Sequence, residues 1–226
     1  MKLHILPPSP NSHGCIAIIK KLGLDIEIIN AYGKTRTPEF LAINPCHTCP
    51  TLEFSDGSAV WESMAIMRYL CKSSPKGDAY YPTDPEEAAK IDMVMDWRQT
   101  TFSPCFPSIG YIIFGMPQSD EEAKKNFKIL RDSHFKTLTS IFLKETKFCF
   151  SDTPTIADLS IAAILTLIKG RGKFWEAVPQ EVKDYQQRVF DAFPETKENF
   201  DMLSTMCTEY SGDGADVSPL ECCQNN

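Results

Sequence analysis

The spacing of apolar positions along the first part of the chain changes twice between strand and helix. Leu3 to Leu6 is a short apolar run closed by Pro7-Pro8, which ends a strand. Cys15, Ile16, Ile18, Ile19 and Leu22 recur at helical spacing, and Gly23 supplies a stop. Asp25 to Ile29 predicts a second strand. Strand, helix and strand in such close succession imply a parallel, right-handed crossover. Pro38 suits the first position of a helical turn over Pro38 to Leu41. Thr51 to Phe54 and Ser58 to Trp61 flank the turn residues Ser55-Asp56-Gly57, an antiparallel hairpin signal. Glu62 to Cys71 then reads as a helix with Ile66, Met67 and Leu70 on one face. The order is β-α-β, then β-β-α.

Residues 73–85 have linker composition. Beyond Pro85 the pattern is helical, with helices expected near 86–101, 119–145, 155–169, 180–192 and 195–208. Thr155-Ile156-Ala157-Asp158 predicts a capping box with Asp in place of the usual Glu. Ser211 to Asn226 is rich in Gly, Asp and Ser and is expected to be disordered. The pattern therefore divides the chain into an α/β domain (1–74), a linker (75–85), an all-helical domain (86–210) and a tail (211–226).

Composition narrows the function. The 226 residues are 42 % apolar and 23 % charged, ordinary for a globular protein with a substantial core. Lys plus Arg is 23 and Asp plus Glu is 30, a net charge of −7, which argues against a nucleic-acid partner. The nine cysteines show no framework spacing and read as free thiols in a reducing compartment. Pro7-Pro8 comes too early for a signal peptide, and Ser160 to Ile168 is too short to span a membrane. The expectation is a cytoplasmic protein with no membrane partner.

Two groups of residues offer chemistry. The loop Leu6 to His13 carries three donors, Ser9, Asn11 and Ser12, at the start of the first helix. Ser12 or Asn11 also fits as a helix cap. Cys46-His47-Thr48-Cys49 suggests a redox dithiol or a zinc site. A thioredoxin-type dithiol would sit at the first strand-to-helix turn, which here holds no cysteine, and no second ligand pair has finger spacing. Cys46 and Cys49 are read as incidental thiols, and no metal is expected. The C-terminal Cys223-Gln224-Asn225-Asn226 lacks the aliphatic pair of a prenylation signal, and the adjacent Cys222-Cys223, a candidate for acylation, is discounted.

Phe40 to Leu52, with Asn44-Pro45 and then Pro50, followed by Glu62-Ser63, resembles the glutathione-binding half of cytosolic glutathione transferases. The delta, theta and bacterial nu groups are the most similar. Thr155-Ile156-Ala157-Asp158-Leu159 resembles the capping motif of that family's helical domain, so the resemblance runs from residue 1 to about 205. It implies a thioredoxin-like N-terminal domain, an all-helical C-terminal domain and a homodimer. It implies that Pro50 is cis and leaves the backbone of Cys49 free to pair with the tripeptide, a sensible mode for a peptide ligand. Glu62-Ser63, at a helix start, would receive the γ-glutamyl carboxylate, with Glu62 facing its ammonium. His47 would face the glycine carboxylate.

The family chemistry needs glutathione as a thiolate. Lowering a thiol by about two units from its ordinary value near 8.5 takes roughly 2.7 kcal/mol of preference for the anion. One charge-assisted hydrogen bond of about 1.5–3 kcal/mol, aided by a helix N-terminus, is enough. Ser9 falls where delta and theta enzymes place their serine. Ser9-Pro10-Asn11 also resembles the nu-group Thr-Pro-Asn, in which the asparagine amide is the implied thiol partner. Met64 stands where delta enzymes carry arginine, so that a ligand donor is missing or supplied elsewhere. The implied function is conjugation of glutathione to hydrophobic electrophiles in detoxification, with glutathione peroxidase activity alongside. The rivals are a nu-like disulfide reductase resting on Asn11 and a non-catalytic scaffold. Phe102, Phe106, Ile109 and Tyr111 are candidates for the electrophile site or for bundle packing.

Overall fold

The computed structural model describes residues 1–111 and 119–209. The first strand, β1 (Lys2–Ile5), lies inside the sheet. It pairs in parallel with β2 (Glu27–Asn30) and antiparallel with β3 (Thr51–Glu53), and β3 pairs with β4 (Ala59–Trp61). The sheet order is β2-β1-β3-β4. The three helices of this half are α1 (Pro10–Leu22), α2 (Pro38–Ile43) and α3 (Ser63–Lys72). Alternation along β1 splits its neighbours. His4 meets Phe40 of α2 edge to face, with ring centroids 5.7 Å apart. Leu3 and Ile5, both buried, face the opposite side, which falls to α1 and α3. These two helices pack on each other, with Cys15 Sγ 3.7 Å from Ser63 O.

The helices begin and end where local chemistry satisfies their free backbone groups. Ser9 caps α1 by accepting from Ser12 N, and Pro10 follows at the first position. Gly23, at φ +67°, closes α1 with its N–H on Ile19 O and Lys20 O. Thr37 caps α2 in the same manner as Ser9. The expected strand through Leu6 stops at Ile5, because the Leu6 N–H turns to Ser12 Oγ at 3.3 Å. Helix α1 starts five residues before Cys15, since its first turn is capped rather than apolar.

The second half is helical: α4 (Pro85–Trp97), α5 (Pro107–Gly110), α6 (Asp120–Ile129), α7 (Phe135–Thr137), α8 (Ile156–Leu165), α9 (Gly172–Glu176), α10 (Gln180–Ala192) and α11 (Lys197–Glu209). Two expected helices contain π turns. Arg98–Phe102 continues α4 as a π turn, and Leu130–His134 and Leu138–Phe142 interrupt the path from α6 through α7. A short 3₁₀ turn, Pro75–Ala79, occupies part of the expected linker. The tail 211–226, with Cys222 and Cys223, lies outside the described residues.

Helix α8 is buried at all ten positions and is apolar all round except near its start. There the expected capping box forms. Asp158, fully buried, accepts from Thr155 N, Cys149 N and Tyr185 Oη, each at 2.8 Å. Burial pushes its carboxyl above the usual range, and these donors oppose that shift. Helix α1 packs on α8 and α11. At its far end Lys20 reaches Asn199 Oδ1 at 2.9 Å, and Lys21 reaches Glu195 Oε1 at 2.8 Å.

Candidate functional site

Register decides what the sheet brings together. His4 pairs with Thr51, and Thr51 pairs with Trp61. One step beyond this row, at the same end of the sheet, lie the exit of β1 into the Ser9 loop, Pro50 before β3, and Glu62-Ser63 after β4. The sequence candidates, which span more than fifty positions of chain, therefore share one edge.

The first loop is tightly tied. Ser9 N donates to Leu6 O at 2.9 Å, and His13 Nε2 donates to Pro7 O at 2.6 Å. Ser9 is buried, and its Oγ accepts from Ser12 N at 3.4 Å. The cap thus falls to Ser9, not to Ser12 or Asn11. Capping uses an oxygen lone pair, so the Ser9 hydroxyl proton stays available to an acceptor. Asn11 is half-buried, and its Oδ1 accepts from Arg98 Nη2 at 2.6 Å.

The second loop is organised by Asn44, part of the Asn44-Pro45 motif, to which the sequence pattern assigns no role. Its buried amide donates to Thr48 O at 3.1 Å and Thr51 Oγ1 at 2.8 Å, and its Oδ1 accepts from Cys46 N at 2.9 Å. The loop passes through a cis Cys49–Pro50 peptide into β3. Among the described residues neither the N–H nor the C=O of Cys49 has a hydrogen-bond partner. Half-buried His47 has φ +47°. Cys46 is exposed, Cys49 is half-buried, and both are free. Burial pushes the Cys49 thiol up to about 11, which keeps it protonated and opposes dithiol redox use.

Helix α3 starts at buried Ser63, after exposed Glu62 at φ +75° and ψ 108°. That backbone region costs a non-glycine residue of order 1–3 kcal/mol and tends to occur at functional sites. Glu62 makes no side-chain cap bond, so the helix start presents N–H groups to an incoming anion. Met64 is buried in the core, and Arg68 on the same helix is paired with Asp92 at 2.7 Å.

Phe102, Phe106 and Ile109 are fully buried, so packing, not substrate contact, accounts for them. Phe102 stacks on Trp97 at 5.0 Å and meets Phe106 at 4.9 Å. Tyr111 is half-buried, and burial pushes its phenol up while the Arg98 charge opposes the shift. The sequence pattern does not single out Arg98. An arginine at the end of a charged helix looks like any solvated residue, and nothing in the pattern marks it as buried.

Residues 8–73 match the family model described as glutathione S-transferase, N-terminal domain. A Bombyx mori glutathione transferase, solved in a complex with GTT, is 27 % identical, with 92 % of this chain and 96 % of that chain aligned at a TM-score of 0.79. An unclassified glutathione S-transferase of the same insect is 26 % identical, covering 92 % and 97 %, at a TM-score of 0.74. Human glutathione transferase theta-2, solved with glutathione and an unknown ligand, shares the fold at 21 % identity, 93 % and 90 % coverage and a TM-score of 0.81. The thioredoxin-like sheet, the helical second half and the matched N-terminal model agree with one another: residues 8–73 match the glutathione S-transferase N-terminal domain, and the chain as a whole shares the fold of the cytosolic glutathione transferases.

Proposed function

We propose that this protein conjugates the thiolate of glutathione to small hydrophobic electrophiles, with peroxide reduction as a second outlet for the same thiolate. The carrying observation is the shared sheet edge, which collects the Ser9 loop, the unpaired Cys49 backbone and the uncapped start of α3. Glutathione would lie along this edge. The Cys49 backbone would pair with its peptide, Pro50 shaping the approach. The N–H groups at Ser63 would take the γ-glutamyl carboxylate, Glu62 its ammonium and His47 the glycine carboxylate. Ser9 or Asn11 would donate to the thiol sulfur, stabilising the anion that attacks an electrophilic carbon. No residue in this scheme requires a metal.

The working protein would be a cytoplasmic homodimer engaged in detoxification. Tyr69 on α3 and Met93 on α4 are large apolar side chains left exposed, suited to a second copy. The test is a thermal shift with millimolar glutathione, together with turnover of a chlorinated aromatic electrophile. A ligand at about 100 times its dissociation constant stabilises by about 2.7 kcal/mol. A rise in melting temperature with turnover supports the transferase. A rise without turnover favours a disulfide-reducing or scaffolding role. No shift at saturating glutathione removes the glutathione reading.

A further inference from the structure

Arg98 is fully buried, yet it forms no salt bridge among the described residues. Its Nη2 donates to Asn11 Oδ1 at 2.6 Å, its Nη1 donates to Gln99 Oε1 at 2.8 Å, and its buried Nε has no partner. Burying a guanidinium without a carboxylate is costly, so the fold gains little from it as packing. It also stands at the first residue of a π turn, a distortion frequent at functional sites. The extra residue of that turn shifts the register of the side chains that follow Trp97.

The contact with Asn11 settles the orientation of the amide. A guanidinium has donors only, so the atom facing it must be the amide oxygen. The Asn11 amino group is therefore on the other side, and it has no acceptor among the described residues. Asn11 sits two residues beyond the cap Ser9, in the loop where the thiol of a bound tripeptide would arrive. Without Arg98 the amide could present either its oxygen or its nitrogen, and an oxygen would repel a thiolate.

We propose that Arg98 is a positioning residue: it fixes the Asn11 amide with the amino group turned to the glutathione sulfur, so that a residue of the helical domain controls thiol ionisation. This rests on the transferase reading above. Arg98 acts through Asn11 and does not itself touch the ligand. The thiol proton leaves to solvent, and the amide stabilises the anion that remains.

The test is the thiol pKa of bound glutathione, read from ultraviolet thiolate absorbance against pH. It is measured for the wild type, Arg98→Met, Arg98→Lys, Asn11→Ala and the Arg98→Met/Asn11→Ala double variant, each first checked for glutathione binding. Asn11→Ala and Arg98→Met should each raise the thiol pKa by about one unit, lowering kcat/KM about tenfold at neutral pH with recovery at high pH. The double variant should match Asn11→Ala alone, since the two act as one unit. Arg98→Lys keeps a charge but loses the planar fork, and should show a smaller rise; it decides the matter if Arg98→Met does not fold. A purely structural Arg98 would lower the melting temperature and leave the thiol pKa unmoved, which overturns the proposal while the transferase survives. An unmoved thiol pKa in Asn11→Ala overturns it equally. Failure of the wild type to bind glutathione removes the transferase reading, and the proposal with it.

Discussion

Replacing Ser9 perturbs two things at once, and the structure says how to separate them. Its oxygen caps α1 through Ser12 N at 3.4 Å, near the long end for a hydrogen bond. Its proton is the part a thiolate would use. Ser9→Ala removes both. The weak cap puts the stability loss at the low end of the usual range, about 0.5–1 kcal/mol. For a chain of this size that is about 1–4 °C in melting temperature. Loss of a hydrogen bond to an anion is larger, about 1.5–3 kcal/mol, or roughly ten- to hundredfold in kcat/KM. Ser9→Gly separates the effects, because glycine at a cap costs only a few tenths of a kcal/mol. Both variants should lose the same rate, while only Ser9→Ala loses measurable stability. The assay is kcat/KM with a chlorinated aromatic electrophile across pH, beside thermal melts. The rate deficit should be greatest at low pH and close as the solution approaches the free thiol value near 8.5, where no donor is needed. Glutathione affinity should change less than rate, since the Cys49 backbone and the α3 start remain. Wild-type kcat/KM in Ser9→Gly would refute the hydroxyl contribution and leave Asn11 as the sole donor.

Two further outcomes follow from the loops. Cys46→Ser/Cys49→Ser should keep most conjugating activity, because burial holds the Cys49 thiol up to about 11 and away from thiolate chemistry; a loss beyond about tenfold with the fold intact would restore the dithiol reading. His13 is fully buried and donates to Pro7 O, and burial pushes its pKa below the usual 6.5. The unfolded chain then binds a proton that the folded one does not. Stability is complete above about 6.5 and falls as pH drops from there toward the lowered value. His13→Gln keeps a donor for Pro7 O, and denaturant titrations should show that its stability changes less over this window.

The β-α-β, β-β-α order was readable because strand and helix spacing differ, and because Pro8, Gly23 and Gly57 punctuate the elements. Glu62-Ser63 and Pro50 were readable as a motif, although only the register of β1, β3 and β4 brings them to one edge. Other features left no mark. A π turn adds one residue to a helical turn without changing its apolar content, so the pattern at 86–101 and 119–145 looked like plain helix. Phe102, Phe106 and Ile109 fit a substrate wall and a core equally well in sequence, and only burial decides for the core. Arg98 was invisible because its partner, Asn11, is 87 positions away.

Helix α1 carries a candidate donor at one end and the ties to the last helix at the other. Its 13 residues make a rod of about 20 Å. Lys20 and Lys21 hold Asn199 and Glu195 at the rear, while Ser9 caps the front. The rod passes between the sheet and the bundle and is buried on most of its surface. Swinging the two halves apart would drag this rod and displace the Ser9 loop at its front. On the transferase reading, a ligand would therefore enter and leave through movements of side chains and short loops at the rim, with the two halves held together by this helix. Amide hydrogen exchange along Cys15 to Ile19 should accordingly be among the slowest in the chain.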